Sequence, residues 1–358
     1  MDLKLIEALS NANGISGFED EVVNVIKEYV GDRLIVEVDH MNNMILRYPS
    51  EASKDNRDKP IIMLDAHSDE VGFIVHAIKP NGTLKFLPIG GWSTQNIPAH
   101  LVRIRNNEGH YIEGVVASKP PHFFKGGEGL VPIEELVIDI GAMSYDEVVK
   151  VYHIEIGAPV VPVASFITNE KMGWMRGKAF DNRLGCSAVI ETMLAFAKVT
   201  LPVTLVGAIS AQEEVGLRGA KINAGRIKPD LAIIFEGTPA DDTFKPESEA
   251  QGALKKGTQI RHFDRSMIAN PRLTQMAITC AKTNSITFQR AVREGGGTNA
   301  GAIHLADEGV PCLVLGTPVR YAHTHYGYSN LCDHASTIAL AKQFINTLSL
   351  QEIERLSL

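Results

Sequence analysis

The stretch IIMLDAHSDEVGF (residues 61–73) decides how the chain is read. Four apolar residues, Ile61 to Leu64, run straight into Asp65, His67, Asp69 and Glu70; after Val71-Gly72 the sequence turns apolar again. The first half reads as a strand buried on both faces, as the strands of parallel sheets are. Charged groups at the end of such a strand need partners, because an unpartnered buried carboxylate is costly. A cation is the expected partner.

Working outward toward the amino terminus, LKLIEALSNAN and FEDEVVNVIKEYVGD space their apolar residues by three and four. They predict two helices, the second closed by Gly31. LIVEVD and NMILRY predict strands, and EASKDNRDKP a polar loop. On the carboxyl side the texture changes from about residue 71 to about residue 165. Short runs (FIVHAI, TLKFLPI, HLVRIRN, YIEGVVAS, ELVIDIG, VYHIEIG, APVVPV) are separated by Asn-Gly, Gly-Gly, Pro-Pro and Glu-Gly turns. This spacing predicts a small β-barrel or sandwich.

After Phe166 helix and strand alternate. Helices are expected from Asp181 to about Lys198, near LRGAKINAG, from about Pro271 to Thr283, over NAGAIHLADEG and from about Ser336 to Leu348. Strands are expected at PVTLVGAIS, DLAIIFEG, ITFQRAV and PCLVLGTP. The alternation means an α/β layer fold with a mostly parallel sheet. Residues 1–70 and 166–358 are expected to form one discontinuous α/β domain, interrupted by a β-rich domain at 71–165.

A chain of 358 residues, 44% of them hydrophobic, suffices for two such domains. A net charge of −7 without any Lys/Arg block argues against nucleic acid or an anionic membrane as partner. The opening MDLKLIEALSNANG carries Asp2 and Glu7 in an amphipathic pattern, unlike a secretory signal, and no window approaches the ~20 apolar residues of a membrane span. Cys186, Cys280, Cys312 and Cys332 are widely spaced with no CxxC, which suggests neither a zinc ribbon nor a disulfide framework. The expected compartment is the reducing cytoplasm.

In open α/β sheets ligands gather at the carboxyl ends of the strands. There the expected strands deliver Asp65, His67 and Asp69; Glu213 and Glu214 from AQEEVG; Glu236; and His323 with His325 from VRYAHTHYG. GKAFDNRLG adds Asp181 at the mouth of a helix. Each has an ordinary reading alone: Asp181 as a helix cap, Glu213-Glu214 as a surface acidic pair, His67 as a hydrogen-bonded structural residue. Five such coincidences at equivalent strand ends point instead to a metal site. Two imidazoles with three carboxylates suit zinc, cobalt or manganese rather than calcium or an iron-sulfur cluster. They also exceed what one tetrahedral catalytic zinc needs, so two ions fit better, clamped by a shared carboxylate.

HSDEVG, GKAFDNRLG, QEEVGLRGA and RYAHTH, in this order with a β insertion after the first, resemble the M42 family of dinuclear metallo-aminopeptidases. GVVASKPPHF and DIGAMSYDEV are similar to stretches of that family's inserted domain. The resemblance implies a hydrolase of peptide amino termini holding two divalent ions per subunit, zinc or cobalt before others. It implies that His67, Asp181 and Glu236 hold one ion and Asp181, Glu214 and His323 the other, with Asp181 bridging. Asp69 would orient His67, and Glu213 would be the general base acting on a bridging water. The insertion would mediate homo-oligomerisation, a dodecamer being common in the family.

Two departures stand out. Position 236 carries Glu where the family commonly has Asp, and EGGGTNAG places Asn299 where Asp is usual. That segment also reads as a tight turn in which Thr298 or Asn299 caps the next helix. His325 competes with His323, and only RYAH favours the latter. Two other readings are a glycoside hydrolase built on Glu213 and Glu236, which leaves the histidines and Asp181 idle, and a non-catalytic scaffold, which intact ligands and base argue against. The sequence leaves the preferred first residue of the substrate open.

Overall fold

The computed structural model describes residues 1–51, 59–123 and 131–357; most of the expected EASKDNRDKP loop lies outside them. Four strands run parallel at the centre in the order Thr204–Ser210, Ile61–His67, Leu231–Ala240, Cys312–Arg320. They are buried almost throughout. Alternation along them makes two cores. Ile62, Leu64, Leu205, Ile233, Phe235 and Leu313 face one side, where they pack with Val189, Met193, Leu340 and Phe344 of the long helices. Met63, Val206, Ala208, Ala232, Ile234 and Val314 face the other, against Ala220, Ala224 and Ile303. The result is a helix-sheet-helix layering, in keeping with the apolar runs of these strands.

Antiparallel strands extend the sheet on both sides and make it mixed. Met44–Arg47 and Ile35–Val38 lie beyond Thr204–Ser210; Gly327–Asn330, Trp174–Gly177, Ile167–Asn169 and Thr258–Asp264 lie on the other flank. Several of these flanking strands have no counterpart in the sequence reading. Thr258–Asp264 is the clearest case: it buries Gln259, Arg261 and Asp264, which masks the apolar alternation that marks a strand.

The insertion is a closed antiparallel barrel of six strands, Gly72–Ile78, Leu84–Ile89, Ile138–Asp139, Tyr111–Val116, Leu101–Arg105 and Pro159–Pro162. Phe73, Val75, Phe86, Val102, Ile104 and Val160 fill it. VYHIEIG, expected as a strand, instead follows a helix at Tyr145–Lys150 that Ser144 caps through the Glu147 amide, and the chain then turns with His153 at φ 54. Where the core strand passes into the barrel only glycine fits: a Cβ on Gly72 would lie 2.2 Å from the Ile15 side chain and 2.8 Å from the Val160 carbonyl oxygen.

Two helices differ in extent from expectation. The helix expected from about Ser336 starts at Leu331, because Asn330 caps it through the Cys332 amide, and a short further helix follows at Leu350–Glu354. NAGAIHLADEG is helical only over Ala300–Ile303, and the chain turns away at Asp307, φ 49. Among the described residues no helix is long and apolar enough to cross a membrane.

Candidate metal centre

The carboxyl ends of the parallel strands share one edge. Pairing sets Ser210 level with His67 and Ile234 level with Asp65, so the turn after Ser210, the end residue His67 and the inner residue Glu236 meet at one height. His323 arrives from the turn after Cys312–Arg320, with φ 59. Asp181 comes from the mouth of the Phe180–Phe196 helix, where its backbone is not yet helical. Asn182 bolts this helix mouth to the neighbouring strand: its amide donates to the Phe235 carbonyl at 2.8 Å, and its oxygen accepts from Gly237 N at 2.9 Å and Gly185 N at 3.0 Å.

Asp181 faces both imidazoles with different oxygens. Oδ1 lies 3.1 Å from His67 Nε2, and Oδ2 lies 3.5 Å from His323 Nε2. Around His67 Nε2, Glu236 Oε1 stands at 3.5 Å and Glu213 Oε2 at 4.0 Å. Around His323 Nε2, Glu214 Oε1 stands at 3.4 Å. His67, Asp181 and Glu236 can therefore turn ligand atoms to a common point, as can Asp181, Glu214 and His323, and also His67, Glu213 and Glu214. Asp69 lies behind His67: its carbonyl is 3.1 Å and its Oδ1 3.4 Å from Nδ1, while Ser16 donates to Oδ2 at 2.6 Å. His323 Nδ1 meets the Gly91 carbonyl, in the barrel insertion, at 2.9 Å.

The electrostatics are those of crowded anions. Burial, followed by the neighbouring Glu214 and Glu236, pushes the Glu213 carboxyl well above its ordinary range, against the pull of His67. Burial raises Glu214 too, and raises Glu236 to about 7. Burial opposes a charged His67, yet Glu213, Asp181, Asp69 and Glu236 outweigh it and hold the ring well above 6.5; His323 is raised to about 11 by Asp181 and Glu214 against the same penalty. Bonds from both histidines overcome burial to keep Asp181 far below the usual carboxylate range.

Not every charge at the end of the Ile61–His67 strand belongs to this cluster. Glu70, one of the charged groups for which a cationic partner is expected, finds it inside the protein, buried against Lys178 Nζ at 2.5 Å and Arg183 Nη2 at 3.4 Å. Asp65 lies two residues deeper along the strand than His67, on the same face, and is taken up inside the fold, accepting from Ser210 Oγ at 2.6 Å and Asn299 Nδ2 at 2.7 Å. His325 stands apart from the cluster, its ring stacked at 4.2 Å on His100, and burial with His100 alongside pushes it down to about 3. Of the two residues proposed as cap in TNAG, Thr298 accepts the Ala300 amide, whereas Asn299 spends its side chain on Asp65.

Asp65 makes the Asn299 departure testable. Burial raises it to about 7, against opposing bonds from Ser210 and Asn299. The folded state thus keeps a proton that the unfolded chain releases near pH 4, so ionisation lowers stability as pH rises toward 7. Asn299→Asp adds a second carboxylate at that contact and moves the window upward. Its melting temperature is expected to fall little below that of the parent at pH 5 and progressively further toward pH 8, with a limiting slope of about 1.4 kcal/mol per pH unit. A deficit independent of pH would contradict this account.

The cluster opens on a cleft of about 580 Å³ that is also lined by Lys245, Arg261 and Arg293, by Asp241 and Glu294, and by the glycines 295–297. Arg261 is buried, bound to Asp264 Oδ2 at 2.9 Å and Thr238 Oγ1 at 2.7 Å; Arg293 donates to the Pro239 carbonyl at 2.9 Å. Sequence reasoning singled out none of these cations, nor Asn182, Ser16 and Lys178. The available signal was an arginine inside TQIRHFD, where a buried strand has no use for one unless it is paired.

The model of the M42 glutamyl aminopeptidase family matches residues 50–340. The glutamyl aminopeptidase of Lactococcus lactis subsp. cremoris is 32% identical over 357 residues, which span 97% of each chain. Among solved structures, the TET aminopeptidase of the marine sediment archaeon Thaumarchaeota archaeon SCGC AB-539-E09 is similar with a TM-score of 0.92 and 36% identity, covering 99% of each chain. The TET1 peptidase of Pyrococcus horikoshii, described as assembling into a tetrahedron or a large octahedral shell, is similar with a TM-score of 0.85 and 26% identity, covering 97% of this chain and 99% of its own.

Proposed function

The chain belongs to the M42 glutamyl aminopeptidase family of peptide hydrolases, and on that footing we propose that it removes amino-terminal residues from peptides with two divalent metal ions. The observation that carries the reading is the position of Asp181, whose two oxygens face two histidines that each have a further carboxylate beside them. His67, Asp181 and Glu236 would hold one ion, and Asp181, Glu214 and His323 the other. The donor set fits: all are oxygen or imidazole nitrogen, as zinc and cobalt accept. Five carboxylates among two imidazoles leave an anionic excess that two divalent ions nearly balance. Glu236 reaches the His67 side in spite of its extra methylene.

Bound metal supplies Lewis acidity, polarising the scissile carbonyl and acidifying a water molecule. The protein does the rest. Asp69 engages Nδ1 of His67 and so leaves Nε2 free to ligate. Glu213, raised in proton affinity by burial and by its acidic neighbours, takes the proton of the attacking water and returns it to the leaving amine. Arg293, which lines the cleft and donates to the Pro239 carbonyl, suits a substrate whose first side chain is acidic, in line with the name of the Lactococcus lactis relative.

Residues 1–70 and 166–358 serve as the catalytic domain and 71–165 as the assembly domain of a homo-oligomer, a dodecamer such as the one described for the similar structure PhTET1-12s. Leu87, Leu101, Val115, Met143 and Ile156, apolar and exposed on or beside the barrel, support this use. The test is a chelated preparation assayed on aminoacyl amides before and after Zn²⁺ or Co²⁺. Activity should vanish and return, with glutamyl amide cleaved faster than lysyl amide. Unchanged hydrolysis after metal removal would defeat the proposal, and sugar release from a β-glucan by metal-free protein would favour a glycosidase instead.

A further inference from the structure

The turn that carries Glu213 and Glu214 leaves the sheet after Ser210, so its backbone amides have no strand partner. Four in succession are nevertheless taken up by side-chain oxygens from elsewhere in the chain. Ala211 N donates to Asn43 Oδ1 at 2.8 Å, Gln212 N to Glu19 Oε1 at 3.3 Å, Glu213 N to Asp69 Oδ1 at 2.9 Å, and Glu214 N to Asp69 Oδ2 at 3.1 Å. This cradle holds Gln212 at φ 55, a left-handed backbone that a side chain disfavours.

The acceptors are themselves fixed. Glu19 is fully buried, receiving Gly17 N at 2.7 Å on Oε1 and Asn42 Nδ2 at 3.3 Å on Oε2. Asn43, also fully buried, donates Nδ2 to Asp39 Oδ2 at 2.9 Å. A Cβ on Gly219 would lie 2.0 Å from Asn43 Oδ1, so the helix after the turn closes tightly over the same contact. Neither Glu19 nor Asn43 touches the cleft, and both precede the stretch from residue 50 that the family match spans.

We propose that Glu19 and Asn43 are positioning residues, which through the amides of Gln212 and Ala211 aim Glu213 at the substrate water. The proposal rests on Glu213 being the base. It explains why an amino-terminal segment remote in sequence buries a carboxylate and an amide beneath a catalytic turn. The chemistry required is only that of an acceptor oxygen, which separates this role from a need for charge.

The test sets Glu19→Gln, which keeps an acceptor, against Glu19→Met, which keeps the length and removes it; both are assayed as metal-loaded full chains. Glu19→Gln should stay within about threefold of the parent, whereas Glu19→Met should lose kcat by about 10-fold or more, because the orphaned Gln212 amide turns away in search of an acceptor and carries Glu213 out of line. KM and a metal content of two ions per subunit should be unchanged in both. Equal kcat in a folded Glu19→Met, or an equal loss in Glu19→Gln, would overturn the proposal. Hydrogen exchange on the parent protein decides even where a variant misfolds: amides 211–214 should exchange as slowly as the Thr204–Ser210 strand, and rapid exchange there would sink the cradle. A parent that hydrolyses no aminoacyl amide refutes the aminopeptidase reading, and the exchange result still judges the cradle separately.

Discussion

Glu213→Gln is expected to lower kcat on aminoacyl amides by about 10²- to 10⁴-fold while the protein still binds two metal ions. Glutamine has the same length and can occupy the same place, but it cannot take a proton from water. The backbone of this residue is fixed by the hydrogen bond its N–H donates to Asp69 Oδ1, so the substitution leaves the turn where it is. Its Oε2 lies 4.0 Å from His67 Nε2, farther than Asp181 or Glu236. That spacing suits a group working on water beside the ions better than a ligand. The geometry does allow a competing arrangement in which His67, Glu213 and Glu214 converge on one ion. Metal analysis of the variant separates the two: unchanged metal with lost turnover marks a base, whereas loss of one ion marks a ligand. Removal of charge from a crowded anionic site should also leave folding intact, so a melting temperature at or above that of the parent is expected for the metal-free variant.

Much of this site was legible because the fold has a simple rule. Strands buried on both faces must be apolar, so a histidine or carboxylate at the end of one is conspicuous, and parallel strands all end on the same edge. Glu213 and Glu236 are the first charged groups after an apolar run, His67, Glu214 and His323 follow within three residues of such a first charge, and the structure gathers them. The same rule failed where burial is polar. Thr258–Asp264 has no legible pattern because Gln259, Arg261 and Asp264 are buried by pairing rather than by hydrophobicity, and Arg261 of the cleft goes unseen with it. Glu70 was assigned a need for a cation that Lys178, 108 positions later, satisfies. His323 and His325 cannot be told apart by residue type; what differs is that one reaches Asp181 and Glu214, while the other stacks on His100. Long-range pairs of this kind depend on topology, which local pattern does not carry.

Asp181→Asn should leave the protein able to hold no more than one tightly bound ion and should reduce turnover by at least ~1,000-fold. Asparagine preserves the shape, but one of its two terminal atoms is an amide nitrogen, which carries hydrogens and no ligating lone pair. Since Oδ1 faces His67 and Oδ2 faces His323, either orientation of the amide deprives one side of its oxygen. His323→Ala removes a ligand from one side only, and His67→Ala from the other; the two should differ in which ion is lost, whereas Asp181→Asn weakens the link between them. Stability should fall together with activity. In metal-free protein both histidines hold Asp181 ionised in spite of burial and of the neighbouring Glu214 and Glu236. Neutralising it removes those two pairings, so the metal-free variant should unfold below the metal-free parent at neutral pH, and added Zn²⁺ should raise the parent's melting temperature by the larger amount. A variant that retains two ions and near-parental turnover would show that the two halves of the cluster do not share this carboxylate, and the dinuclear assignment would fall with it.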